Sequence, residues 1–355
     1  MTAATRVSRG AAARRRRAAA GVAAVVVVAV AAYGVSRLGD AGDATGGVPT
    51  GGTGDRSSEL LVLQVTGTEN PLFALVGTRR TGARPAFFSL PFDLTMTVPG
   101  QGDVAARDVM ALDAEAVRVA VSNTFGAWAG HVVVLDLDGL AAAVERSGGL
   151  RVRVPGVYET DQGRLGPGDT RLSGPQVAAL LGVEDEGGEA RWASVVQALL
   201  RRPLRLAGED ISETDGLAGV RRVLRGARGA TIASFPTISV AGSVLVPRQP
   251  DLDRQVARLF GYGEPVPVIV ENGAGVPGLG QDVAAALVPL GFRVVVSQNA
   301  DAFGYERTRV VANGSAAVPD ARRIREALGV GRVGVSEVPS GIGDITIIVG
   351  EDFTG

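Results

Sequence analysis

The chain has no cysteine, a single histidine and only 5% aromatic residues among 355, and none of its basic residues is lysine. Without cysteine there is no disulfide, no thiolate metal site, no cysteine nucleophile and no lipid-modified cysteine, and that absence fits any redox compartment. One imidazole, His131, is too few for an imidazole metal cluster and leaves almost no serine-histidine arrangement available. It opens the apolar stretch 131–135, where its plain role is structural, at the end of a buried strand. All 36 basic residues are therefore arginine, and with abundant alanine, valine and 50 glycines this reads as a coding bias rather than a device for polyanions.

Acids are also missing from residues 1–17, which hold Arg6, Arg9 and Arg14 through Arg17, and every charge is missing from residues 18–35. Eighteen residues at helical rise span about 27 Å, close to the roughly 30 Å of a bilayer's hydrocarbon core. Only Arg37 closely follows the run, so the positive-inside bias holds the N-terminus in the cytoplasm and places everything from Ser36 onward outside. The expectation is a single-pass plasma-membrane anchor with an extracytoplasmic body. A cleaved signal peptide is the competing reading, since Ala29-Val30-Ala31 has the spacing a signal peptidase accepts, although the run exceeds the usual apolar length of about 7–15 residues. A packed core helix is a third, and four consecutive arginines abutting Ala18 argue against it. Residues 36–58 contain seven glycines and read as a flexible linker of roughly 25–30 Å r.m.s. span.

Setting aside the six N-terminal arginines leaves 30 bases against 37 acids, a balance of −7. A mildly acidic body argues against nucleic acid as a partner. Its apolar runs at 60–65, 86–90 and 132–135 predict strands, and the patterns at 114–125, 139–146 and 175–181 predict helices. This alternation predicts an α/β sheet with helices on both faces over 59–260. Two glycines and two prolines within 261–267 stop helix and strand alike and mark a domain boundary. Beyond it, strands at 268–270, 292–297 and 345–349 alternate with helices that place Leu279, Val283, Ala286, Leu287 and Leu290 on one face and run near 319–328. A small α/β unit over 266–353 follows from these, with no repeat between the two domains.

At this level the chain resembles the LytR-CpsA-Psr family of envelope proteins, followed by a LytR C-terminal domain. The likeness of the first domain lies in Ser89-Leu90-Pro91-Phe92-Asp93 with Val98-Pro99-Gly100, in Gly148-Gly149-Leu150 through Pro155, and in Leu172-Ser173-Gly174-Pro175-Gln176 through Leu180. That of the second lies in Val270-Glu271-Asn272-Gly273 through Gly278-Leu279, Gly291-Phe292-Arg293-Val294 and Val349-Gly350-Glu351-Asp352. The resemblance implies a pocket for a polyprenyl pyrophosphate, from which active members transfer a glycopolymer to peptidoglycan. It implies arginines on the pyrophosphate and aspartates near a divalent metal. An arginine fork suits phosphate oxygens because it donates paired hydrogen bonds and stays charged.

The chain departs from that pattern at the charged positions. The family's Pro-Arg-Asp reads Pro91-Phe92-Asp93, and Leu181-Gly182-Val183-Glu184 stands where the family has an aromatic and two arginines. Its Arg-x-x-Arg-Gln survives only as Arg191-Trp192-Ala193-Ser194-Val195, and no early Arg-x-Asp is found between Thr66 and Arg84. Each missing charge-assisted hydrogen bond is worth about 1.5–3 kcal/mol. Three or four losses amount to several powers of ten in binding or rate. Asp93 and Arg191 are thus candidate ligand-binding remnants, and Arg79, Arg80 and Arg84 are candidate relocated phosphate contacts. No confident catalytic residue emerges, and the balance leans away from an enzyme. The expected function is a non-catalytic relative that binds an envelope polymer or a cell-wall assembly partner, with no cofactor. The alternative is an active phosphotransferase that needs Mg2+.

Three further patterns have bland and sharp readings. Gly273-Ala274-Gly275-Val276-Pro277-Gly278 matches a dinucleotide fingerprint in register between strand and helix. The unit is short, however, and its second strand ends in Gln298-Asn299 without an acid for a ribose, so a tight turn is expected and no nicotinamide cofactor. The acidic run at 184–189 reads as a solvated turn or a hard-cation site. Arg221, Arg225 and Arg228, with Arg222 beside them, read as an exposed helix face or as a contact for anionic lipid or polymer.

Overall fold

The computed structural model describes residues 59–68, 72–78, 85–109, 112–202, 204–207, 217–240, 244–337 and 341–355. The basic tail, the apolar run 18–35, the linker 36–58 and Arg79, Arg80 and Arg84 lie outside the described residues. Among the described residues no helix is long and apolar enough to cross a membrane.

The first unit opens with strands β1 (Glu59–Thr66), β2 (Leu72–Thr78) and β3 (Ala86–Ser89), then the hairpin β4 (Thr95–Val98) and β5 (Gly102–Ala105). Helix α1 (Ala114–Phe125), strand β6 (His131–Asp136) and helix α2 (Leu137–Arg146) follow. Next come β7 (Leu150–Val154), the short hairpin β8 (Tyr158–Thr160) and β9 (Gly163–Leu165), and β10 (Gly168–Leu172). Helices α3 (Gly174–Leu181), α4 (Gly188–Arg201) and α5 (Leu217–Gly226) lead to β11 (Thr231–Ala233), the hairpin β12 (Thr237–Val240) and β13 (Val244–Pro247), and α6 (Gln249–Phe260).

Five of these strands form one mixed sheet in the order β11-β3-β2-β1-β6. Strand β1 is antiparallel to β2 and parallel to β6, which fits a hairpin on one side and a helical crossover on the other. Side chains alternate across a strand. Leu61, Leu63 and Val65 therefore meet α2, α4 and α5 through Val144, Trp192, Val196, Leu199 and Val223. Leu60 and Val62 meet α1 and α6 through Val121, Phe125, Val256 and Phe260 on the opposite face. Helices cover both faces, as the alternation of patterns predicts.

The likeness segment at 172–180 is a scaffold device. Ser173 caps α3 in a capping box: its hydroxyl accepts from the Gln176 N–H, and the Gln176 side chain accepts from the Ser173 N–H at 3.0 Å. Gly174 lets α3 meet α2, because a Cβ there would lie 2.1 Å from the Ala141 carbonyl oxygen.

The second unit comprises β14 (Val266–Asn272), α7 (Leu279–Leu287), β15 (Phe292–Asn299), β16 (Arg309–Asn313), α8 (Val318–Leu328), β17 (Arg332–Ser336) and β18 (Ile345–Val349). Its sheet order is β15-β14-β18-β16-β17, with β14 parallel to both β15 and β18. Leu279, Val283 and Leu287 are buried as expected, but Pro289 turns the chain into a 3-10 turn at Val288–Leu290, so Leu290 is only half-buried. Strands β16 and β17 have no counterpart in the sequence reading.

The two units share a core. Val119 of α1 packs into the second unit's apolar cluster while Val117, Ala120 and Val121 pack into the first. Every residue of α1 from Ala116 to Phe125 is buried. A helix buried all round belongs to an interior, and here that interior is the junction.

Candidate functional site

Of the two candidate remnants, Arg191 lies in the N-terminal turn of α4. Arg191 is fully buried, and its terminal nitrogens donate to the Asp185 carboxylate and the Val183 carbonyl. Its guanidinium carbon lies 5.0 Å from the Tyr158 ring centroid, so β8 covers the cation with an aromatic face. Asp185 also accepts from the Gly187 N–H at 2.7 Å. The hydrogen bond from Arg191 is the main cause holding the Asp185 carboxyl below its ordinary value of 3.8, although the side chain is 44% exposed. The only arginine the resemblance leaves at this position thus has both terminal nitrogens engaged by the chain itself, while its buried Nε has no hydrogen-bond partner.

Phe92 closes the same place from above. Its N–H donates to Glu189 at 3.2 Å, and a Cβ on Gly188 would fall 2.6 Å from its ring. The aromatic at the position where the resemblance implies an arginine therefore seats on the first turn of α4. Asp93, next in sequence, is exposed. Phe92 and Arg191 both approach Gly188, which brings the 91–93 turn and Arg191 into one neighbourhood; Arg191 pairs with Asp185, and Glu184, Glu186 and Glu189 of the same acidic run are exposed. A diphosphate would meet more carboxylates than guanidinium groups there, the reverse of what phosphate recognition needs.

The transferase alternative calls for magnesium. Among the described residues no group of three or more acids or histidines converges to hold a metal ion. The acidic run 184–189 spends Asp185 on Arg191 and Glu189 on the Phe92 N–H, and its remaining acids face solvent.

The arginine stripe on α5 lies at a cleft of about 360 Å³ lined by Leu204, Ala218, Arg221, Leu224 and Arg225. Arg221 donates to the Leu206 carbonyl at 2.7 Å, Arg222 pairs with Glu59 at 3.1 Å, and Arg228 is exposed. His131 is half-buried at the start of β6, where its ring fills the space beside Gly219 of α5.

The glycine-rich turn after β14 packs against two aromatic side chains. Phe303 lies over Gly275, whose added Cβ would sit 3.2 Å from the ring, and Tyr305 lies 2.8 Å from a Cβ on Gly273.

Sequence reading missed Asp185 as the partner of Arg191, and it missed Tyr158. The first signal was present as an acid six residues before an arginine at a helix start. The second was not, because β8 reaches Arg191 only through the tertiary fold.

Residues 265–353 match the family model described as LytR cell envelope-related transcriptional attenuator. Among solved structures, Bacillus subtilis TagV is 13% identical with a TM-score of 0.49, covering 59% of this chain and 99% of its own. The LytR-Csp2A-Psr enzyme from Actinomyces oris is 20% identical with a TM-score of 0.46, over 59% of this chain and 92% of its own. The LytR-CPS2A-psr family protein YwtF (TagT), with bound octaprenyl pyrophosphate lipid, is 14% identical with a TM-score of 0.46, over 58% and 91%. No curated protein matches the chain by sequence.

Proposed function

We propose that this chain is a membrane-anchored, extracytoplasmic envelope protein that retains the frame of a LytR-CpsA-Psr domain and binds an envelope polymer without transferring it. The observation that carries this reading is the internal engagement of Arg191: Asp185 and Val183 take both its terminal nitrogens, and Phe92 packs on the helix turn beside it. Two findings support the cellular setting, the match of residues 265–353 to the LytR C-terminal family and the arginine-flanked apolar run at 18–35.

The test uses the full chain in detergent with an immobilised polyprenyl pyrophosphate, with and without magnesium, in parallel with transfer of a labelled glycopolymer to a murein acceptor. No metal-dependent retention and no labelled product are expected, while sacculi bearing wall polysaccharide are expected to retain the protein. Turnover in the transfer assay would restore the phosphotransferase.

A further inference from the structure

We propose that the C-terminal unit carries a glycan-docking platform centred on Phe303, built at the carboxyl ends of β14 and β15. The proposal rests on the polymer-binding reading above and names the surface that would do the binding. Phe303 is 59% exposed and Val276 52% exposed, and Pro277 and Ala302 beside them are also exposed. One side of the Phe303 ring lies against Gly275, and a Cβ added at Gly278 or Gly304 would meet nothing within 4 Å.

The ring is held on an ordered support. The Gly304 and Tyr305 N–H groups both donate to the Gly273 carbonyl, at 2.8 and 3.2 Å, and the Ala300 N–H donates to the Asn272 carbonyl at 3.1 Å. The Asn272 side chain accepts from the Gly275 N–H and donates to the Val276 carbonyl, each at 2.8 Å. Two loops are thereby tied into one surface, and an aromatic presented on such a surface loses little freedom when it binds. The position is also where open α/β sheets place ligands, outside the carboxyl ends of parallel strands.

Size and polarity select the occupant. A flat patch of one phenyl ring and three small apolar side chains falls far short of the roughly 1,200 Å² that a specific protein interface buries. An anionic membrane surface would call for a basic rim, whereas Asp301 and Glu306 are exposed here along with Arg307 and Asn299. A pyranose ring offers one apolar C–H face of about the area of a phenyl group and a rim of hydroxyls that donate and accept. Ring stacking on Phe303, with hydrogen bonds to the surrounding amide and carboxylates, matches that division.

The experiment is co-sedimentation of the full chain in detergent with purified murein sacculi carrying their wall polysaccharide, with competition by soluble fragments of the same material. The variants are Phe303→Ala and the conservative Phe303→Trp. Phe303→Ala is expected to raise the half-saturating amount of sacculi by roughly tenfold, as truncation of a central aromatic contact does, with an unchanged thermal midpoint. Phe303→Trp is expected to bind like the parent, and soluble fragments to displace both. If the parent binds and Phe303→Ala binds equally well, the platform is wrong and the polymer-binding reading survives. If the parent sediments with no sacculi at all, that reading fails and the platform with it.

Discussion

The carboxamide of Asn123, near the end of α1, pairs with the backbone of Val294 in β15 as a neighbouring strand would: its oxygen accepts the Val294 N–H at 2.8 Å and its nitrogen donates to the Val294 carbonyl at 2.8 Å. Strand β15 is an edge of its sheet, so one side chain from the first unit satisfies the edge of the second. Both groups are buried. Asn123→Ala is expected to leave the Val294 N–H without a partner and to destabilise the folded chain by about 2 kcal/mol, read from the denaturant midpoint. The corresponding loss for an exposed asparagine such as Asn299 is expected to be near zero.

Beside that pair, Arg293 is only 3% exposed and grips Asp253 of α6 with two nitrogens, at 2.9 and 2.6 Å. The same guanidinium donates to the Asn123 and Thr124 carbonyls at the end of α1, where the helix dipole favours a cation. Asp253→Ala strands a buried charge and is expected to cost about 3 kcal/mol or more. The double variant Asp253→Leu/Arg293→Met removes both charges and is expected to cost less than Asp253→Ala alone. A double variant less stable than the single one would show that the pair contributes more than its own desolvation.

Gly174 gives a steric prediction. A Cβ at that position meets the Ala141 carbonyl oxygen, carbon and Cα at 2.1, 2.7 and 3.0 Å, all backbone atoms of α2. No side-chain rotation relieves such a contact, so Gly174→Ala is expected to push α3 away from α2 and to cost about 2–3 kcal/mol. Gly166, whose Cβ would meet nothing within 4 Å, is the control and is expected to tolerate alanine.

These positions show which parts of the molecule were legible in the sequence. Local order was legible: α1 matches its pattern end to end, and Leu172 through Leu180 carries its own cap and its own close-approach glycine. The turn at 273–278 was legible as a turn, because glycine at those positions serves backbone geometry and close packing. Trp192, Val195, Val196 and Leu199 repeat at helical spacing and could have announced α4. What was not legible is contact at a distance. Asn123 and Arg293 stand 170 residues apart and sit within apolar stretches, so nothing local marks them as partners. The neutralisation of Arg191 was equally hidden, since an acidic run before a helix reads as a solvated turn until the helix start brings one of its carboxylates onto a buried cation.

The Asp185–Arg191 pair makes a pH prediction. The Asp185 carboxyl titrates below its ordinary value of 3.8 because Arg191 donates to its charged form. A lowered folded-state value means that the unfolded chain takes up the proton first as pH falls. The stabilisation is therefore complete above the ordinary value and is lost as pH drops through the folded one. Urea midpoints of the parent and of Asp185→Asn are expected to differ by a constant amount from about pH 5 to 7 and to converge below about pH 4. A gap that stays constant down to pH 3 would mean that the pair does not titrate as described.

Reintroducing one arginine should not by itself rebuild a pyrophosphate site. In Phe92→Arg the new guanidinium would stand over the first turn of α4 beside Glu189, with Glu184 and Glu186 exposed near by, and would pair with those acids before it met a phosphate. Arg191 would remain engaged by Asp185 and Val183. Retention on immobilised polyprenyl pyrophosphate is therefore expected to be the same for Phe92→Arg as for the parent. Adding Asp185→Asn and Glu189→Gln removes the two competing charges and leaves two guanidinium groups facing one position. Each charge-assisted bond to phosphate is worth about 1.5–3 kcal/mol, so the triple variant is expected to gain roughly tenfold or more in retention. If Phe92→Arg alone gained as much, the acids around α4 would not be what keeps a phosphate out, and the proposed reason for the loss of binding would be wrong.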